Sequence, residues 1–147
     1  MYVPPYDSLL RNLGTDVEQA ERIDKIVVPV RLLKLLLQTA VAASDFDEEG
    51  YLQANPDVRE AVQQGEIESG HMHYVGYGYF EGRQGGTAVV EELWYLQQYP
   101  DVASAIEEGH ISSAADHFNS VGAAEGRSPS ADQEETAEQW KSAMLAG

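Results

Sequence analysis

The sequence predicts an all-α protein of two tandem three-helix repeats, offset by 44 residues and preceded by an amphipathic N-terminal helix pair. Three observations carry that expectation. A stretch recurs without a gap: Tyr51-Leu52-Gln53 returns as Tyr95-Leu96-Gln97, Pro56-Asp57-Val58 as Pro100-Asp101-Val102, and Glu81-Gly82-Arg83 as Glu125-Gly126-Arg127, giving fifteen identities in the thirty-three positions of 51–83. Self-similarity at one register is the mark of a repeated structural unit. Prolines and glycines fall where short helices would begin and end. Apolar residues recur at i, i+3, i+4, as Val58, Ala61, Val62 and again Val102, Ala105, Ile106, which turns one helical face toward a core.

In the leader, residues 1–43, Thr15 and Glu18 form a capping box for a helix reaching about Lys25. Pro29 then opens a second helix through Ala43. On that helix Arg31, Lys34 and Gln38 share one side, and Leu32, Leu33, Leu36, Leu37 and Ala40 cover a wide opposite arc. An arc that broad is seldom left in water, so it packs under the repeats or forms a subunit interface, and residues 29–43 are a candidate homodimer surface. Repeat 1 spans 44–86 and repeat 2 spans 87–130. Within repeat 1, Ser44 caps a helix over Asp45 to Ala54, which ends because the residue before Pro56 is pushed out of helical geometry. The second helix of each repeat starts at Pro56 or Pro100, places Asp57 or Asp101 at the positive end of the dipole, and ends at Gly65 or Gly109. The third is capped by Ser69 or Ser113, carries His73-Tyr74 or His117-Phe118 inward, and stops at Gly82 or Gly126. Residues 131–147 form an acidic tail in which Thr136, Trp140 and Met144, spaced i, i+4, i+8, mark a short docking helix.

The pattern Tyr-Leu-x-x-x-Pro-Asp-Val, then Gly, then His-Tyr/Phe-x-x-x-Gly-x-x-Glu-Gly-Arg resembles a short helical repeat of bacterial surface-polysaccharide proteins. There it accompanies glycosyltransferase domains and also occurs without an enzyme domain. The resemblance covers about residues 45–130 and brings no catalytic residue with it. It implies a non-catalytic interaction or scaffolding role, accessory to exopolysaccharide synthesis, with a glycosyltransferase or another component of such a system as partner.

The formal charge of −16 is unevenly spread: residues 1–41 hold five basic and five acidic residues, and residues 42–147 hold four basic against twenty acidic. A field of that sign repels phosphate backbones and anionic lipid heads, so neither nucleic acid nor membrane is an expected partner. Basic protein surfaces, cations and neutral sugars suit it better. With no cysteine there is no disulfide, thiolate metal site or cysteine nucleophile. The stretch Val27 to Val41 is broken by Arg31, Lys34 and Gln38 and is too short for a span of ~20 residues. MYVPPYDSLL lacks a secretory pattern, which points to the cytoplasm.

Asp45-Phe46-Asp47-Glu48-Glu49-Gly50 matches the opening of a calcium loop, but its twelfth position is Pro56, and the second copy offers Val89, Glu91 and Leu93 in place of ligands. Asp45, Asp47 and Glu49 are therefore read as acids that complement the dipole of a helix's first turn, with calcium binding as the alternative, and no metal or cofactor is expected. His71 and His73, two apart on a helix, point to different sides. His73 and His117 instead read as hydrogen-bonded core residues. Gly76-Tyr77-Gly78-Tyr79-Phe80 lacks the lysine and third glycine of a phosphate loop. Its rings Tyr77, Tyr79 and Phe80 either form an exposed patch for a partner or fill the space between copies. Arg83 and Arg127 either grip an acidic partner or pair with Asp57 and Asp101, the second being favoured in a chain so short of cations. The competing functions are a carbohydrate-active enzyme using two of the acids and a calcium-responsive regulator.

Overall fold

The structure, a computed structural model, describes residues 2–83, 85–86 and 89–146. Every regular element among them is helical, and none of these helices is long and apolar enough to cross a membrane. The leader carries α1 (Tyr6–Asn12), α2 (Val17–Ala20) and α3 (Val30–Ala42). The expected helix from Thr15 to Lys25 is reduced to a single turn. Asp16, one residue later than anticipated, is the N-cap and accepts from the Gln19 amide at 2.8 Å. That register puts Glu18 out of reach of the cap, and it bonds Arg22 at 2.6 Å instead. Pro29 stands just outside α3 as its N-cap residue.

Four elements then occur twice, with every boundary displaced by 44 residues. The first set is α4 (Glu48–Ala54), α5 (Pro56–Gln63), α6 (Gly70–His73) and a π-helical turn over Tyr74–Gly78. The second is α7 (Glu92–Gln98), α8 (Pro100–Glu107), α9 (Ala114–His117) and a π-helical turn over Phe118–Gly122. Asp47, not Ser44, caps α4, its carboxylate accepting from the Gly50 amide at 2.9 Å. The Ser44 hydroxyl donates to the Val41 carbonyl at 2.8 Å and so belongs to the end of α3. Pro56 and Pro100 occupy the first turn of α5 and α8 as expected. The third helix differs from expectation, since each widens into the π turn after His73 or His117. The turn is closed by i→i+5 bonds, Tyr79 N to Tyr74 O at 2.9 Å and Ala123 N to Phe118 O at 3.0 Å. Gly82 and Gly126 stop it at φ of 69° and 74°, and the following amides of Arg83 and Arg127 reach back to the carbonyls of Gly78 and Gly122, both at 2.9 Å.

The apolar residues gather in two clusters rather than one. Tyr51, Val58 and Tyr74, with Val41 of α3, form the first, and Tyr95, Val102, Ala114 and Phe118 form the second. Phe46 fills the first cluster, with its ring 5.4 Å from both Tyr51 and Tyr74, whereas Trp94 and Tyr99 fill the second. The chain after each third helix returns to the start of the same repeat: the Asp47 amide donates to Gly86 O at 2.7 Å and the Glu91 amide to Pro129 O at 3.0 Å. Each copy therefore closes on itself. The boundary expected at residues 86 and 87 touches Thr87, which lies outside the described residues. Beyond repeat 2 a 3-10 turn (Ala131–Gln133) leads into α10 (Glu134–Leu145), whose Lys141 stem lies against Gly126.

Candidate functional site

Tyr51 and Tyr95 each stand at the fourth position of their helices and have no exposed surface at all (0%). Burial of a phenol is tolerated only if its hydroxyl finds a partner. That partner is the repeated histidine: Tyr51 Oη and His73 Nδ1 share a hydrogen bond of 3.0 Å, and Tyr95 Oη and His117 Nδ1 one of 2.9 Å. Removal from water pushes the Tyr51 phenol up and the Tyr95 phenol up to about 12. The π turn belongs to the same device, because it brings Gly78 and Gly122 against these hydroxyls, where any Cβ would overlap the oxygen. His73 and His117 are thus orienting partners inside the fold.

Arg83 and Arg127 make the internal pair. Arg83 Nη1 donates to both Asp57 oxygens at 2.9 and 2.7 Å, and its Nε donates to Glu81 at 2.8 Å. In the second copy the fork is parallel, with Arg127 Nη1 and Nη2 donating to the two Asp101 oxygens at 2.9 and 2.7 Å and Nε to Glu125 at 2.7 Å. The guanidinium bonds hold both aspartates below the usual carboxylate range, and the arginines are raised in turn. A substitution beside the arginine distinguishes the copies. Asn55 meets Arg83 at 3.5 Å, whereas Tyr99 takes its place in repeat 2, stacks 4.9 Å under the Arg127 guanidinium and accepts from the Ser128 amide at 2.9 Å.

A further repeated contact escaped sequence reasoning. Glu48 Oε1 and Oε2 accept from the amides of Gly70 and His71 at 2.6 and 2.8 Å, tying α4 to the start of α6. Glu92 does the same for Ala114 at 3.3 Å. The longer distance has a local cause, since a Cβ at Gly70 would sit 3.0 Å from the Glu48 carboxylate, and Ala114 carries that Cβ. The identity of Glu48 and Glu92 at the 44-residue offset was the available signal.

The three clustered aromatics part company. Tyr77 faces solvent, Tyr79 packs edge-on against Tyr74 and Phe80 at 5.9 and 5.2 Å, and Phe80 lies 5.2 Å beneath the Lys34 ammonium of α3. Tyr77 and Tyr79 are exposed and Phe80 is partly buried, and none of the three belongs to either core cluster. Tyr79 instead borders an open groove of about 770 Å3 where repeat 1, repeat 2 and α10 meet. Its apolar walls are Val89, Phe118, Trp140 and Met144; Asp45, Glu91, Asp132 and Arg127 are its charged ones.

Of the metal candidates, Asp47 is engaged as the α4 cap, Glu49 lies in the first turn of α4, and Asp45 lines the groove. Among the described residues no three His, Asp or Glu side chains are grouped to hold an ion. The His71 ring stacks on Phe46 at 4.7 Å while His73 turns to Tyr51, so the two imidazoles serve different neighbours. On α3, Leu33 and Leu36 are exposed on the outer face, Leu35 on its flank by 59%, and Val30 in the first turn. Comparison with known proteins returned no match to a family model, a curated protein or a solved structure.

Proposed function

We propose that this chain is a non-catalytic protein-interaction or scaffolding module whose main recognition surface is the outer face of α3. The observation that carries the reading is the leucine-rich exposure of α3: Gln38 and Val41 seat it on repeat 1, with Gln38 Nε2 donating to Val75 O at 3.3 Å, and Leu33 and Leu36 remain uncovered on the far side, with Leu35 exposed on the flank and Val30 exposed in the first turn. Water penalises such a stripe, and a partner helix relieves the penalty. The distinctive repeat residues support a non-catalytic role from the opposite direction, since Tyr51, His73, Asp57 and Arg83, and their equivalents, are engaged with one another.

A second copy of the chain is the first partner to test, giving a homodimer through residues 29–43. This segment is favoured for self-association because residues 25–44 contain no acid, and their Lys25, Arg31 and Lys34 offset part of the repulsion between two copies of a chain of charge −16. The resemblance of the repeat extends the proposal to a cytoplasmic component of bacterial exopolysaccharide synthesis, with a glycosyltransferase as an alternative partner. Light scattering across a concentration series tests it. Wild type is expected to associate, and the double change Leu33→Glu, Leu36→Glu to be monomeric with an unaltered helical circular dichroism spectrum. Wild type that stays monomeric at high micromolar concentration and captures no more protein than the double variant would contradict it.

A further inference from the structure

We propose that the groove between the two repeats and α10 is a second, separate docking site, and that its occupant is a basic amphipathic peptide segment of another polypeptide. The volume of about 770 Å3 falls within the ~300–1,000 Å3 of sites that take a small ligand or several side chains. Its walls place Trp140 and Met144 of α10 opposite Phe118 of the second π turn. Trp140 is 54% and Met144 60% exposed, although they are the largest apolar residues on a helix that buries none of its own. Tryptophan and methionine in that setting offer a large, adaptable contact to aliphatic side chains.

Charge selects the occupant. Asp45, Glu91 and Asp132 line the groove, and among the described residues their carboxylates make no hydrogen bond or ion pair. The one lining cation, Arg127, is already held by Asp101 and Glu125. The groove therefore presents apolar walls with uncompensated negative charge, complementary to leucine-like residues interleaved with lysine or arginine. An acidic or phosphorylated segment meets the same carboxylates as repulsion. The groove touches the proposed self-association segment only at Ala43 and includes neither Leu33 nor Leu36, so the two sites are separable by substitution.

The test uses the full chain and a fluorescent helical peptide of leucine and lysine, followed by anisotropy at physiological ionic strength. Saturable binding is expected, weakened about thirtyfold by Trp140→Ala, the loss at which an interface residue counts as a hot spot. Asp132→Asn is expected to weaken it less, and Leu33→Glu with Leu36→Glu to leave it unchanged. A peptide of equal charge with serine for leucine should bind only at low salt, because diffuse attraction to a strongly acidic chain is screened. Equal binding of the two peptides, indifference to Trp140→Ala, or no binding of the leucine-lysine peptide would each overturn the proposal. Helical circular dichroism of the Trp140→Ala chain distinguishes a lost contact from an unfolded α10.

Discussion

The hydroxyl that joins tyrosine to histidine is the smallest feature on which the fold depends. Tyr95→Phe would leave Nδ1 of the buried His117 without its partner, and an unsatisfied buried polar group costs about 1–3 kcal/mol. Tyr51→Phe should cost less, because His73 is only partly buried. Denaturant unfolding of the two variants checks the order. Gly122→Ala or Gly78→Ala drives a methyl group into the same hydroxyl and is expected to destabilise by about 1–3 kcal/mol, as overpacking does. The phenols also set an alkaline limit. Their folded pKa values are raised, so the stability they contribute is complete below the ordinary tyrosine value near ~10 and is lost as pH climbs through about 12 for Tyr95. Asp57 and Asp101 act in the opposite sense: their folded values are depressed, so their contribution is present above ~4 and is lost as pH falls through the lower folded values. A pH titration of the melting temperature should fall at both ends, and Asp101→Asn should remove part of the acid-side fall.

Among the elements, the boundaries marked by proline and glycine were legible in the sequence. Pro56, Pro100, Gly82 and Gly126 act through their own backbone geometry, and the structure places a helix start or stop at each. Caps were harder to read, because several polar residues compete near each helix start and only the register of the first turn selects one. Thus Asp16 displaces Thr15, and Asp47 displaces Ser44. The π turns were not legible, since they arise from a tertiary fit, the approach of Gly78 and Gly122 to a hydroxyl on a different helix. The pairing of Arg83 with Asp57 and of Arg127 with Asp101 was anticipated from the scarcity of cations, whereas the Glu48 and Glu92 links needed the spatial neighbour at α6 and α9. Glu48→Ala should free the start of α6 at about 0.5–2 kcal/mol, the range for a lost helix cap, while Glu92→Ala, with its single longer bond, should cost less. Amide exchange at Gly70 and His71 in the first variant and at Ala114 in the second reads that difference directly.

For the whole molecule, two closed repeats with separate cores explain why the repeated motif says little about recognition. Each copy engages its distinctive side chains internally, and the surfaces left for partners are those that do not repeat, the α3 stripe and the groove beside α10. The wide apolar arc of α3 could be read from its leucines, but its division into a seated side and an open side depends on repeat 1 lying beneath it. The groove involves residues from 43 to 144 and leaves no local pattern. Independent closure of the copies is the claim on which this account turns, and native-state hydrogen exchange of Tyr51→Phe tests it most directly. Protection should drop over residues 48–83 and persist over 92–127, with the reverse for Tyr95→Phe; an equal loss in both copies from either change would contradict it.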